Sequence, residues 1–255
     1  MSKKGVAFFY KALSPENRHF AYTPPEACEL AKGTLYQSWF DALKLSPWYK
    51  KIAETGDFPS EKAKEAWENF GDLRNISFED WWLKTGYEIY SERVPYRQLQ
   101  VAIDYPDDQE KPPVLKIEVP LNLSPQMLQD QFKKLLKAHE QYDKYDRWNY
   151  STAKVHQFRE SKLTFGVIKE LLNYYEKYEQ QGGQSQITLD QFAILMKINP
   201  KVKIENGDSP AQVNDKKIIL ANNASYFLQR AKNFMANATE LHFPSDSPHI
   251  WVTGK

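Results

Sequence analysis

Only one cysteine, Cys28, occurs in the 255 residues. A single thiol excludes an internal disulfide framework and a cysteine-rich zinc site, and it fits a reducing compartment. Long apolar runs are missing near the start. The run at residues 6–10 is broken by Lys11, too short for the core of a signal peptide or for a membrane span, so a cytoplasmic protein with no membrane partner is expected. Charge of one sign is absent as well: 34 Lys and Arg stand against 33 Asp and Glu, a net charge of +1. A nucleic-acid partner must then be held by a local basic patch and not by the molecule as a whole.

Catalytic signatures are wanting too. Gly182-Gly183 has neither the preceding strand nor the following Lys-Ser/Thr of a phosphate-binding loop, and there is no nucleophile elbow. His242 and His249 bracket Asp246, but in a Pro- and Ser-containing stretch with no rigid element to order metal ligands. Cys28 lies near a helix start without a partner base. The carboxylate pairs Glu79-Asp80 and Asp107-Asp108 sit at a helix start and in a loop, where capping and solubility account for them. The expectation is a protein that is not an enzyme, with no cofactor and no metal.

What is present is apolar and aromatic. Hydrophobic residues make up 41% of the chain and charged residues 26%, the balance of a globular protein long enough for one large domain or two small ones. Aromatics reach 14%, with 7 Trp and 15 Tyr. Such side chains fill cores, and Trp and Tyr also concentrate at contact surfaces.

Punctuation by Ser, Pro and Gly divides the chain. Residues 1–95 read as an aromatic-rich helical module: an amino-terminal arm with a strand-like run at 6–10, then helices at 26–45, 48–54, 61–70 and 78–85. Ser46-Pro47 and Ser60 open helices, Ser77-Phe78-Glu79-Asp80 resembles a capping box, and Gly56, Gly71 and Gly86 close helices. Its rings are those of a core, with Trp48 and Trp82 as candidate exposed anchors for a protein partner, because adjacent Trp81 and Trp82 cannot face the same side of a helix. Residues 96–122 alternate apolar and polar in two runs, 97–105 and 114–119, across a polar loop, and predict an antiparallel β-hairpin. Residues 123–160 hold a long helix, 126–142, and a basic linker. Lys133, Lys134, Lys137, Arg147, Lys154 and Arg159 are interleaved there with Tyr142, Tyr145, Trp148 and Tyr150. Cations among rings suit a nucleic-acid surface, and Glu140, Asp143, Asp146 and Glu160 dilute the charge toward an ordinary solvated face.

Residues 161–244 read as helix 163–180, the Gly182-Gly183 break, a short helix 189–198 capped by Thr188, a polar loop with a possible wing at 201–205, and an amphipathic helix from about 218 to 238; residues 245–255 are a tail. Short helix, turn and longer helix is the order of a helix-turn-helix module, although this loop is several times longer than the usual turn. The last helix is expected to expose Asn222, Asn223, Ser225, Tyr226, Gln229, Arg230, Lys232 and Asn233, types that pair with bases and phosphates. The expected class is mainly α with a small antiparallel β-hairpin (α+β) and a helix-turn-helix-like carboxyl-terminal module.

Three segments resemble uncharacterised helix-turn-helix-like proteins of bacterial phage, plasmid and integrative elements: residues 35–48 with Trp81-Trp82, residues 188–200, and residues 216–244 (KKIILANNASYFLQRAKNFMANATELHFP). The resemblance covers about half the chain, carries no catalytic motif, and implies a bacterial or phage origin with a DNA-associated or defence-related role. Two functions are therefore expected in rivalry. One is non-enzymatic binding of double-stranded DNA by the last helix. The other is a protein-interaction subunit of a larger assembly without DNA contact; a homo-oligomer is compatible with either.

Overall fold

Serine and threonine caps set the starts of most helices, and glycines in the left-handed region set several of their ends. Thr34, Ser46, Ser60, Thr164 and Ser209 each turn a side-chain oxygen onto the free N–H groups of a first turn. Gly56 closes its helix at φ 73°, a conformation that costs a residue without Cβ little. The computed structural model describes residues 7–8, 21–92, 117–138, 153–155 and 163–254. They are mostly helical, and the chain divides into two compact units, residues 1–31 with 79–160 and residues 32–78 with 161–255.

In the first unit, β1 (Ala7–Phe8) pairs antiparallel with β2 (Ala21–Tyr22), a ladder of two residues. Helix α1 (Pro24–Ala31) follows and buries Cys28. Its start is held by Thr23, whose N–H and hydroxyl both donate to Glu26 Oε2, at 2.9 and 2.7 Å. These bonds hold the Glu26 carboxyl below its ordinary pKa. Helix α5 (Phe78–Trp81), a π-helical turn (Trp82–Gly86) and α6 (Tyr87–Tyr90) run without interruption, and α1 packs on the π turn and on α6. The Tyr87 hydroxyl donates to the Tyr22 carbonyl at 2.6 Å, and Val155 N–H donates to the Ile89 carbonyl at 2.8 Å. Helix α7 (Pro125–Ala138) belongs to this unit as well.

The second unit is built around one long helix. Helices α2 (Leu35–Leu45), α3 (Pro47–Thr55) and α4 (Glu61–Phe70) come from before the first unit's main segment. Helices α8 (Phe165–Gln180), α9 (Leu189–Leu195), α10 (Pro210–Thr239) and α11 (Ile250–Thr253) come from after it. At 30 residues, α10 spans about 45 Å and packs on α2, α3, α4, α8, α9 and α11. Its last turns are buried without interruption from Asn233 to Thr239. Trp39 of α2, fully buried, donates its indole N–H to the Ala238 carbonyl at 3.2 Å and stacks on Phe243 at 4.4 Å and 7°. Phe234 meets the same Phe243 edge-on at 5.3 Å. Thr239 gives its hydroxyl proton to the Met235 carbonyl, so the buried Ser46 hydroxyl must donate to Thr239 Oγ1 across 3.0 Å.

Several expectations need correction. The β-hairpin expected over 96–122 is not seen among the described residues: residues 93–116 lie outside them, and Ile117–Pro120, where the second strand was expected to end, carry no strand. The α+β class thus gives way to a mostly helical chain. The helix expected over 26–45 is two, α1 and α2, parted by Gly33 at φ 70° and recapped by Thr34. Gly86 ends nothing. It is buried inside the continuous helical run, at a position that takes glycine because a Cβ there would stand 2.6 Å from Cζ3 of Trp81. The wider π turn and the covering helices bury Trp81 and Trp82 together.

The helix-turn-helix-like module is corrected as well. Helix α10 begins at Pro210, where Ser209 and Gln212 form a capping box, and not near residue 218. The connection from α9 spans residues 196–209, with left-handed backbone at Lys197 and Asn199 and turns, not a wing strand, after Pro200. A three- or four-residue turn is therefore absent, and the supposed reading helix is the central beam of its unit. The residues expected to form a tail fold back on that beam.

Candidate functional site

One face of α10 stays open along the half that precedes the buried turns. Ile218 is 49% exposed, Ile219 45% and Tyr226 58%, and on α9, which packs against α10, Ile194 and Leu195 are each 53% exposed. Asn222, Ser225 and Gln229 fill the same face between them. These positions recur three and four residues apart, the spacing that brings side chains onto one side of a helix.

Along part of that face runs an open groove of about 520 Å³. Asn222, Ser225, Tyr226, Gln229, Arg230 and Asn233 form its helical wall, and Asp246 and Pro248 form the other. The second wall exists because the chain reverses after α10. Leu241 turns at φ 59°, and Phe243 enters the core beside Trp39. Asn237 then ties the returning strand down, its Nδ2 donating to the Asn233 and Ser247 carbonyls, both at 2.8 Å. Asn233 Oδ1 accepts the His249 N–H at 3.1 Å. The imidazole of His249 accepts at Nδ1 from Trp251 N–H and caps α11, so Nε2 carries the proton and donates to Glu240 Oε2 at 2.9 Å.

The groove holds one cation and one anion, and they hold each other. Arg230 Nε and Nη2 both lie 2.6 Å from Asp246 Oδ2, and the guanidinium sits 5.5 Å from the centre of the Tyr226 ring. Its charge is matched on both sides, by a carboxylate and by a ring face.

The sequence-derived candidates separate under this geometry. Asn222, Ser225, Tyr226, Gln229 and Arg230 come together in the groove. Asn223 turns away and donates its Nδ2 to the Ile219 carbonyl at 2.8 Å, and Lys232 is half-buried. Lys133, Lys134 and Lys137 are exposed on α7 and Lys154 is exposed near residue 155, all in the first unit; Arg147 and Arg159 lie outside the described residues. Trp82 is no surface anchor, since none of it is exposed and its ring lies 5.8 Å from that of Tyr90. Trp48 is half-buried against Trp251 at 5.9 Å. Asn233, expected in the exposed set of the last helix, is instead 5% exposed, and Asp246, weighed only between two histidines, serves as the partner of Arg230. Pro248 was not singled out, since nothing local in the sequence signals the returning segment.

No cluster of three or more metal-ligating side chains occurs among the described residues, and none of the described helices is long and apolar enough to cross a membrane. The imidazole of His249 is engaged by Glu240 and Trp251. A smaller depression of about 310 Å³ is lined by Glu61, Lys62, Lys64, Glu65 and Glu68, the mixed charges of a solvated helix face. Neither a family model, nor a curated protein, nor a solved structure matches the chain.

Proposed function

We propose that this protein is a non-enzymatic protein-interaction subunit that docks its partner on the open face of α9 and α10. The observation that carries the reading is the composition of that face. Large apolar side chains, Ile194, Leu195, Ile218, Ile219 and Tyr226, are half exposed beside Asn, Ser and Gln, and the one arginine is neutralised by Asp246. Contact surfaces between proteins combine apolar and aromatic anchors with uncharged hydrogen-bonding groups. A duplex-DNA surface depends on unmatched cations that displace counterions from phosphates.

Duplex-DNA binding remains the rival reading, supported by the exposed lysines of α7 and by exposed Lys197, Lys201, Lys203 and Lys217 around the start of α10. A single pair of measurements separates the two. Titration of the full chain into fluorescein-labelled duplex DNA across a salt series is expected to give no anisotropy change. A photo-crosslinking side chain placed at position 218 is expected to yield a discrete adduct with a protein encoded beside this one when the two are co-expressed, with no adduct from position 62 on α4. Salt-steep DNA binding without an adduct would overturn the interaction-subunit reading in favour of DNA.

A further inference from the structure

The groove beside α10 leaves two hydrogen-bonding atoms unused, and they are complementary. Asn233 is 5% exposed, and its Oδ1 is occupied by the His249 N–H, while its Nδ2 donates to none of the described residues although Asn233 lines the groove. The Nδ2 therefore opens onto the solvent of the groove, where a ligand can meet it. Across the groove Asp246 gives Oδ2 to both arginine nitrogens, and Oδ1 accepts from none of the described residues. A donor and an acceptor thus face the same space, with the Tyr226 ring and Pro248 as its apolar walls.

From this arrangement we infer that the groove is the binding site for an extended, uncharged peptide segment of the partner protein. The inference rests on the interaction-subunit reading and adds which part of the partner is held. A peptide unit presents one N–H and one C=O, which match Asp246 Oδ1 and Asn233 Nδ2, and Asn222, Ser225 and Gln229 supply further donors and acceptors along the helix. Tyr226 and Pro248 take a small apolar side chain from the same segment. The volume, about 520 Å³, falls in the range of roughly 300–1,000 Å³ typical of ligand sites. The neutral Arg230–Asp246 pair selects against a charged segment, since an added charge of either sign would be repelled by one member as it is drawn to the other. Tyr, Ser and Asn around a concave surface are also the residue types that adaptable protein-binding sites favour.

The test uses the full chain and a displayed library of random linear peptides. Enriched peptides are synthesised with a fluorescent label and titrated by anisotropy against the parent, Tyr226→Ala and Asn233→Asp. The Asn233→Asp change keeps an acceptor for the His249 N–H, removes the donor and adds a negative charge, so Asn233→Ser, which is neutral, is titrated beside it. Tyr226→Ala alters an exposed ring, so loss of binding there is separate from loss of fold, which a denaturation curve checks for each variant. Enrichment of uncharged peptides whose affinity falls by about tenfold or more in each variant is the expected result. Peptides that bind every variant as they bind the parent would overturn the groove assignment, as would a failure to enrich any. Peptides indifferent to the groove changes but lost on Ile218→Asp would overturn it while leaving the interaction-subunit reading intact.

Discussion

The two ends of α10 are one helix in two surroundings. From Asn233 to Thr239 no residue is exposed, and Trp39, Phe243 and the Ser46 hydroxyl close around it. From Pro210 to Gln229 the same helix touches its own unit along one stripe, through Leu220, Ala224 and Leu228, and offers the other side to solvent. The rigid end gives the open end its precision: side chains that rise from a helix clamped in a core present their polar atoms at fixed positions, which a loop of the same composition does not do. The difference also shows why residue type alone misleads. Asn occurs at both ends, as a surface group at 222 and as a buried structural group at 233 and 237.

Substitutions should separate the ends by size of effect. Trp39→Ala removes a stacked ring and the indole donor to the Ala238 carbonyl, which keeps the Leu241 N–H, and is expected to lower stability by about 3–5 kcal/mol in a urea titration. Asn237→Ala cuts the bond to the Ser247 carbonyl that ties residues 245–248 to the helix, and the bond to the Asn233 carbonyl within the helix, and should lower stability by about 1–3 kcal/mol. Tyr226→Ala, at the open end, should stay within about 0.5 kcal/mol of the parent. A large loss there would erase the contrast between scaffold and surface.

A pH-dependent effect belongs to the clamped side. Asp41 on α2, which packs on α10 and α8, has its carboxyl pushed up to about 6, first by burial and then by Glu176, against the opposing pull of Lys44 and Lys169. A carboxyl whose folded pKa is raised disfavours the folded state once it ionises. The penalty is absent below the ordinary value of 3.8, grows as pH rises toward 6, and is complete above it. Asp41→Asn should therefore match the parent at pH 3.5 and exceed it by about 1–2 kcal/mol at pH 7 in paired denaturation curves. Equal stability at both pH values would show that Asp41 is solvated like a surface carboxylate.

The sequence makes these helices legible to different degrees, for local reasons. Ser60 and Gly71 bound α4 on both sides, and the helix falls between them as expected, because a cap and a stop act through bonds only a few residues long. Ser46-Pro47 is as plain. The first turns of α10 were missed even though Ser209, Pro210 and Gln212 spell a capping box, because the polar residues that follow hide the apolar period on which the helix was recognised. Gly86 was misread because its reason is a packed indole, not a turn, and a contact of that kind leaves no mark in the neighbouring residues. At the site, Asn222, Ser225, Tyr226 and Gln229 were legible as one exposed face from their spacing. The neutralisation of Arg230 was not, since Asp246 reaches it only after the chain has reversed at Leu241. That bond changed the reading of the face from a cationic surface to a neutral one.

The indole bond between Trp39 and Ala238 joins residues 199 positions apart. On a ribosome adding about 5–20 residues per second, Trp39 emerges roughly 10–40 s before the carbonyl it will meet exists. Throughout that interval α2, α3 and α4 have been made while the helix that covers them has not, and the first unit's main segment is synthesised in between. The nascent chain therefore carries a long-lived apolar surface of indole and phenyl rings, the kind that holdase chaperones protect, until α10 has been made.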